Sequence, residues 1–491
     1  SYINGARVRG NPKLQINENR DLINIPEFML SIDDEVFRAK ANFNLSDITS
    51  YTFSLQNENT NFKAIKGFLP DSLSAKLSAY SIHKPLKTTL NMSGKFQFRD
   101  KPKLYAVFSA TDNDVDIKDN INLTNASFNG YLTNSLYEND SVKSLKSSRK
   151  DFKIFFNDFN ANIEDIKFSA TNSYFQSSID ASNLINAQIR LHGPNETLAK
   201  VLKNDNFGFF GGKFNLEANI LGDIPHADQI FNFATGSFHL SDAQVVLKKN
   251  GLQLPLETMA LTLDNENSVL EELRINLPNG EDLILRGNLK NVSSLISNNP
   301  VKPTSSYITL DSRRLNVNRL IDTAKELTTK SNIESDDQRT LHETLNTIYD
   351  KFHPRFKLNL NTVEYKTVEL TDLNADVELV GPETISLNDF TFKYDDATTN
   401  LKGTFKVPEP KSTFQEPIFI DFHARSSGSV RIFQDLFNIK LVDIKTGEYQ
   451  FSGDITGNVH KFEQLLNNVK GNLALKNAKF YYYNAALDIA F

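Results

Sequence analysis

Apolar and polar residues alternate through most of this chain, with the two-residue period of strands that bury one face. Phe28, Leu30 and Ile32 open the pattern, and Phe37, Ala39, Ala41, Phe43 and Leu45 continue it. Tyr51, Phe53 and Leu55 follow, then Leu104, Ala106, Phe108 and Ala110, and then Phe152, Ile154 and Phe156. Asp, Asn and Ser separate these runs, and they make turns through side-chain to backbone hydrogen bonds, so the pattern predicts a meander of antiparallel strands. Helical spacing is concentrated in one place. Leu341, Leu345, Ile348 and Phe352 share a helix face, which predicts a helical insertion over about 318–352.

The strand pattern also repeats. GKFNLEANILGDIPHADQIFNFATGSFHLSDAQV, from Gly212 to Val245, returns 235 residues later, without a gap, as GEYQFSGDITGNVHKFEQLLNNVKGNLALKNAKF, from Gly447 to Phe480. Gly212/Gly447, Ile220/Ile455, Gly222/Gly457, Gln229/Gln464, Asn232/Asn467, Gly236/Gly471, Leu240/Leu475 and Ala243/Ala478 are identical. Each copy predicts strand, short helix, strand. The match extends upstream to Ile185/Ile420, Arg190/Arg425 and Gly193/Gly428, and LTNASF, Leu123 to Phe128, is a third copy of the last strand. A repeated unit of this kind builds by stacking and predicts two halves, 1–246 and 247–491, the second carrying the insertion.

Composition narrows the function. The 491 residues carry a net charge of −6 and no dense Lys/Arg cluster, which argues against nucleic acid as a partner. With zero Cys there are no disulfides or thiolate metal sites, and the 8 His show no ligand or triad spacing. GFFGGKF, Gly208 to Phe214, lacks the spacing, the Ser/Thr and the helix of a phosphate loop. In DNDVD, Asp112 to Asp116, Ile117 stands where a calcium loop needs Gly. No catalytic residues, metal site or cofactor are therefore predicted. No apolar run reaches the roughly 18 residues of a membrane span. The opening SYINGARVRG has neither Met nor a signal-type apolar stretch, which fits a mature chain or one excised from something longer, and LDIAF at the end alternates like a strand cut in mid-sheet, which favours excision.

What remains is a surplus of one-sided strands filled chiefly by 37 Phe, with no Trp. Such faces are buried against a second sheet, as in a β-sandwich, or are left as a curved sheet whose concave side takes up hydrocarbon. The expectation adopted is the second: a mainly β, elongated, strongly curved antiparallel sheet forming a groove. Its candidate lining is Phe214, Leu216, Ile220, Phe238, Leu240, Phe390, Phe392, Tyr449, Phe451, Ile455, Leu473 and Leu475. A register slip of one residue would reverse each assignment. A structural scaffold with closed cores and no ligand is the alternative, and a carbohydrate-binding β protein displaying Tyr481, Tyr482 and Tyr483 is a further one.

The pattern G-x-F-x-L-x-A-x-I-x-G, short helix, G-x-F-x-L-x-x-A resembles the AsmA-like proteins of the bacterial envelope. So do YITLDSRRLNVNRL, Tyr307 to Leu320, and LNDFTFKYDDATTNLKGTFKV, Leu387 to Val407. The resemblance runs from about residue 150 to the end. It implies a repeating β-groove of the bridge-like lipid-transfer type, without catalytic residues, that carries phospholipid or other acyl-chain lipid. It also implies a periplasmic location, an inner-membrane tether outside these residues, and envelope membrane proteins as partners.

Overall fold

The computed structural model describes residues 6–46, 49–68, 74, 77–96, 102–117, 121–134, 152–177, 184–202, 207–223, 227–247, 252–277, 281–296, 304–319, 345, 349, 353–365, 368–408, 417–432, 442–459 and 468–482. The chain forms two compact units, Ser1–Val201 with Lys213–Ser237, and Leu202–Gly212 with Phe238–Phe491. Both are mainly β, and the sheet within each is open and curved.

In the first unit an antiparallel meander runs through Leu22–Ile32, Glu35–Asn44, Ser50–Thr60, Leu86–Lys95, Lys103–Ile117, Ile121–Thr133, Phe152–Ile163, Ile166–Ser177, Leu184–Pro194 and Lys213–Asp223. The alternation seen in the sequence is realised directly. In Glu35–Asn44, Phe37, Ala39 and Ala41 are buried, while Val36, Arg38, Lys40 and Asn42 between them are exposed. The hairpins Ile32–Glu35, Ile163–Ile166 and Tyr394–Ala397 close through two-residue turns, whose first residues Asp33, Glu164 and Asp395 have φ of 50°, 51° and 53°. Short polar side chains are among the few that tolerate this left-handed region; Glu164 is the less usual choice.

In the second unit the order is Leu252–Asp264, Asn267–Leu277, Glu281–Lys290, Ser305–Ser312, Pro354–Tyr365, Val368–Leu379, Thr384–Tyr394, Ala397–Lys406, Ile418–Ser429, Val442–Val459 and Val469–Tyr482. Its ladders are antiparallel except where Ser305–Ser312, and then Leu315–Asn316, lie parallel to Pro354–Tyr365. Parallel neighbours need a long crossover, and the predicted helical insertion occupies that connection. Most of 318–352 lies outside the described residues. Leu345 and Tyr349 are helical and pack on Leu379, Val407, Ile385 and Phe405.

The repeat takes the predicted form in its first copy: strand Lys213–Asp223, the 3-10 turn Ala227–Phe233, strand Ala234–Leu247. In the second copy the flanking strands are present and the predicted short helix lies outside the described residues. The two copies share a backbone device. Asp242 and Asn477, equivalent in the repeat, have φ of 52° and 53°, as does Asn125 (53°) in the third copy LTNASF. At Asn125 and Asn477 the ladder slips by one residue, as it also does at Asp112, Asn172 and Asp372, all with positive φ. Each is a β-bulge, which bends its strand and tightens the local twist. Curvature is thus written into the chain by Asp and Asn at intervals.

Hydrophobic clusters are assembled sideways. Ile32, Phe37, Ala39 and Leu55, with Phe28, Phe53 and Leu90, come from neighbouring strands on one face. Leu360, Val363, Leu373 and Ala375 do the same, joined by Leu315 and Val317. The helix Phe62–Phe68 closes a third cluster by laying Phe62 and Ile65 on Leu86, Ala110 and Phe128. The substantial strand-to-strand contacts are those of ladder neighbours.

Candidate functional site

The register of the second unit places apolar side chains in rows that cross the strands. One row runs Met259, Leu273, Leu285, Leu310, Leu358, Ala375, Phe390, Leu401, Ala424, Gly453, Gly471, each opposite the next on the neighbouring strand. A second runs Leu261, Leu270, Gly287, Ile308, Phe356, Val377, Leu387, Gly403, Phe422, Ile455, Val469. Every position in both rows is apolar or glycine. At the usual strand spacing, eleven strands give roughly 50 Å of contour. The first unit has an equivalent row, Phe28, Ala39, Leu55, Leu90, Ala106, Leu132, Ile154, Phe175, Ile185, Gly222.

Seven candidate residues share the apolar face of the second unit. Phe390 and Ile455 sit in the rows; Phe451 faces Leu473, and Tyr449 faces Leu475, on the same side nearer the strand ends. Phe392 belongs to the line Phe392, Thr399, Ser426, Phe451, Leu473. The two hydroxyls in that line satisfy each other: Thr399 Oγ1 and Ser426 Oγ are 2.9 Å apart, and Ser426 Oγ lies 2.7 Å from the Tyr449 hydroxyl. Burial pushes the Tyr449 phenol pKa up, partly offset by that hydrogen bond.

Accessibility divides the candidates. Leu473 and Leu475 are 53% and 47% exposed, while Phe390, Phe392, Phe451 and Ile455 are half-buried and Tyr449 is buried. Phe214, Leu216 and Ile220 lie on one face of Lys213–Asp223, opposite Gly193, Leu191 and Ala187, and all three are buried. Along Ala234–Leu247, Phe238 is half-buried and Leu240 is buried. Sequence reasoning left out Leu358, Leu401 and Leu285, since their place in a row depends on pairing that a single sequence does not disclose.

The opposite face is polar and laced with cross-strand charge. Arg274 and Arg286 both pair with Glu272, and Arg286 reaches on to Asp311. Arg355 forks onto Asp376, with Nε and Nη2 donating to its carboxylate oxygens at 2.9 and 2.6 Å. Hydrogen bonds from Arg274 and Arg355 hold Glu272 and Asp376 below the usual carboxylate range, against the opposing cost of partial burial. In DNDVD, Asp112 and Asp114 are exposed, Asp116 pairs with His83, and Asn113 is fully buried, bonded to the Lys84 backbone. Among the described residues no cluster of His, Asp and Glu could hold a metal, and no helix is long and apolar enough to cross a membrane.

No family model, curated protein or solved structure matches this chain. The resemblance to AsmA-like proteins rests on the sequence motifs alone.

Proposed function

We propose that the apolar face of each unit binds the acyl chains of phospholipid-like molecules, and that the protein carries such lipids without catalysis in the bacterial envelope, as an AsmA-like protein would. The observation that supports this reading is the pair of unbroken apolar rows across the second unit, whose described core clusters draw on laterally adjacent strands, with helical Leu345 and Tyr349 joining one of them. A sheet with one apolar face needs cover, and hydrocarbon supplies it at about 0.8 kcal/mol per buried methylene. Tails would lie across the rows; head groups would remain in water at the strand ends.

A ligand-free scaffold is the competing reading, favoured by the burial of Phe214, Leu216 and Ile220, whose apolar surface is already covered within the protein. Titration with a fluorescent-acyl phospholipid separates the two. The groove predicts saturable binding that unlabelled phospholipid competes away; a scaffold gives no saturable signal.

A further inference from the structure

The polar face of the second unit carries a second feature, made visible by comparing the two copies of the repeat. Arg190 and Arg425 are equivalent, and both are exposed on the face opposite the apolar rows. Directly across the ladder from Arg190 stands Glu217, with Arg190 Nε 3.8 Å from its carboxylate. Across from Arg425 the equivalent residue is Ser452. The first copy neutralises its arginine internally. The second has no counter-ion at that position, and no described carboxylate pairs with Arg425.

Around Arg425 the ladders form a small grid. Asn400, Arg425, Ser452 and Asn472 make one line, and Thr398, Ser427, Gln450 and Ala474 the next. These residues, together with Ser426, Phe451 and Leu473, line an open recess of about 650 Å³ whose lining includes no carboxylate. Of the acids just beyond it, Asp454 is engaged with His423 at 2.8 Å and Asp421 with the Thr456 hydroxyl at 3.0 Å, while Asp389 accepts from the amide of Asn400 at the edge of the recess. In a chain with 60 Asp and Glu and a net charge of −6, an acid-free patch built around one unpaired guanidinium is a local reversal of sign.

We infer that the recess around Arg425 binds a phosphate group, as inorganic phosphate, a soluble phosphate ester or a lipid head group. A guanidinium presents a planar fork of donors that matches a phosphate's oxygens, and neighbouring hydroxyls and amides can complete the shell. Ser452, Ser427 and Thr398 supply the hydroxyls here, Asn472 and Gln450 the amides. The recess exceeds the volume of a bare phosphate, which leaves room for an organic substituent. The inference rests on Arg425 and the polar side chains around it, and not on lipid being bound in the groove.

Calorimetric titration with inorganic phosphate and with glycerol phosphate, together with flotation on phosphatidylcholine vesicles with and without phosphatidic acid, tests it. Arg425→Gln and Ser452→Glu, the latter restoring the carboxylate of the first copy, should each weaken binding at least tenfold without shifting the unfolding temperature. Glu217→Ser should create weak binding in Arg425→Gln. A response to soluble phosphates alone assigns a soluble ligand; a response to phosphatidic acid vesicles alone assigns a head group. The inference is overturned by the absence of binding to every probe, or by equal affinity in Ser452→Glu and the parent chain.

Discussion

Gly471 lies directly opposite Gly453, so close that a Cβ on either would stand 2.7 Å from the other's Cα, and the ring of Phe451 lies over the pair. An aromatic ring covering cross-strand glycine restores the packing that glycine lacks. The close approach, without the ring, recurs in the first copy, where a Cβ on Gly236 would stand 2.8 Å from the Ala218 Cα and Leu216 occupies the place of Phe451. Gly453→Val should therefore cost about 1–3 kcal/mol through overpacking, read as a fall in the urea midpoint. A midpoint equal to the parent's would show that the strands are not held this closely.

The same geometry separates two probes of the groove. Phe451→Asp removes the cover over the glycines and should lower both stability and lipid retention. Leu473→Asp changes a side chain that is 53% exposed, so its stability should stay within about 0.5 kcal/mol of the parent while bound lipid falls several-fold. Thermal unfolding beside lipid quantification checks the pair, and unchanged lipid in Leu473→Asp removes that residue from the lining.

Asn477 has φ of 53° at a bulge and an exposed side chain. Asn477→Val should cost about 1–2 kcal/mol, because a β-branched residue resists the left-handed region, whereas Asn477→Gly should be close to neutral. Chemical denaturation of both variants distinguishes this from a packing effect, in which glycine would be the worse replacement.

Much of the architecture was legible in the sequence because one-sided strands announce themselves by period, and the repeat was legible because Gly222, Gly236 and their counterparts occupy positions of tight approach. The bulges were not read, although the signal was present. LTNASF, LSDAQV and LKNAKF each carry Asn or Asp at the third position, the residues that accept positive φ. The parallel pairing beside the insertion was hidden because periodicity is the same for either direction of a strand. Candidate residues were drawn from the repeat and from Phe390 and Phe392 alone, so the row positions contributed by Leu273, Leu310 and Leu358 were missed; register is a property of pairs of strands.

Acid should loosen the second unit. The fork from Arg355, helped by Asn388, holds the Asp376 carboxyl below its unfolded range, so its contribution is fully present above the unfolded pKa and is lost as pH falls through the folded one. Glu272 and Glu364 are lowered by arginine in the same way. Stability should hold from neutral pH to about 5 and decline below about 4, with a shallower decline in Asp376→Asn. An identical acid slope in that variant would show that the ion pair contributes nothing.

The account turns on whether hydrocarbon covers the apolar rows, and organic extraction of the purified protein followed by mass spectrometry addresses this most directly. Phospholipid or fatty acyl species at a reproducible ratio to protein, reduced in Leu473→Asp and Leu475→Asp, is the result expected. Extracts free of acyl lipid, from protein that also fails to take up phospholipid when vesicles are supplied, would contradict it.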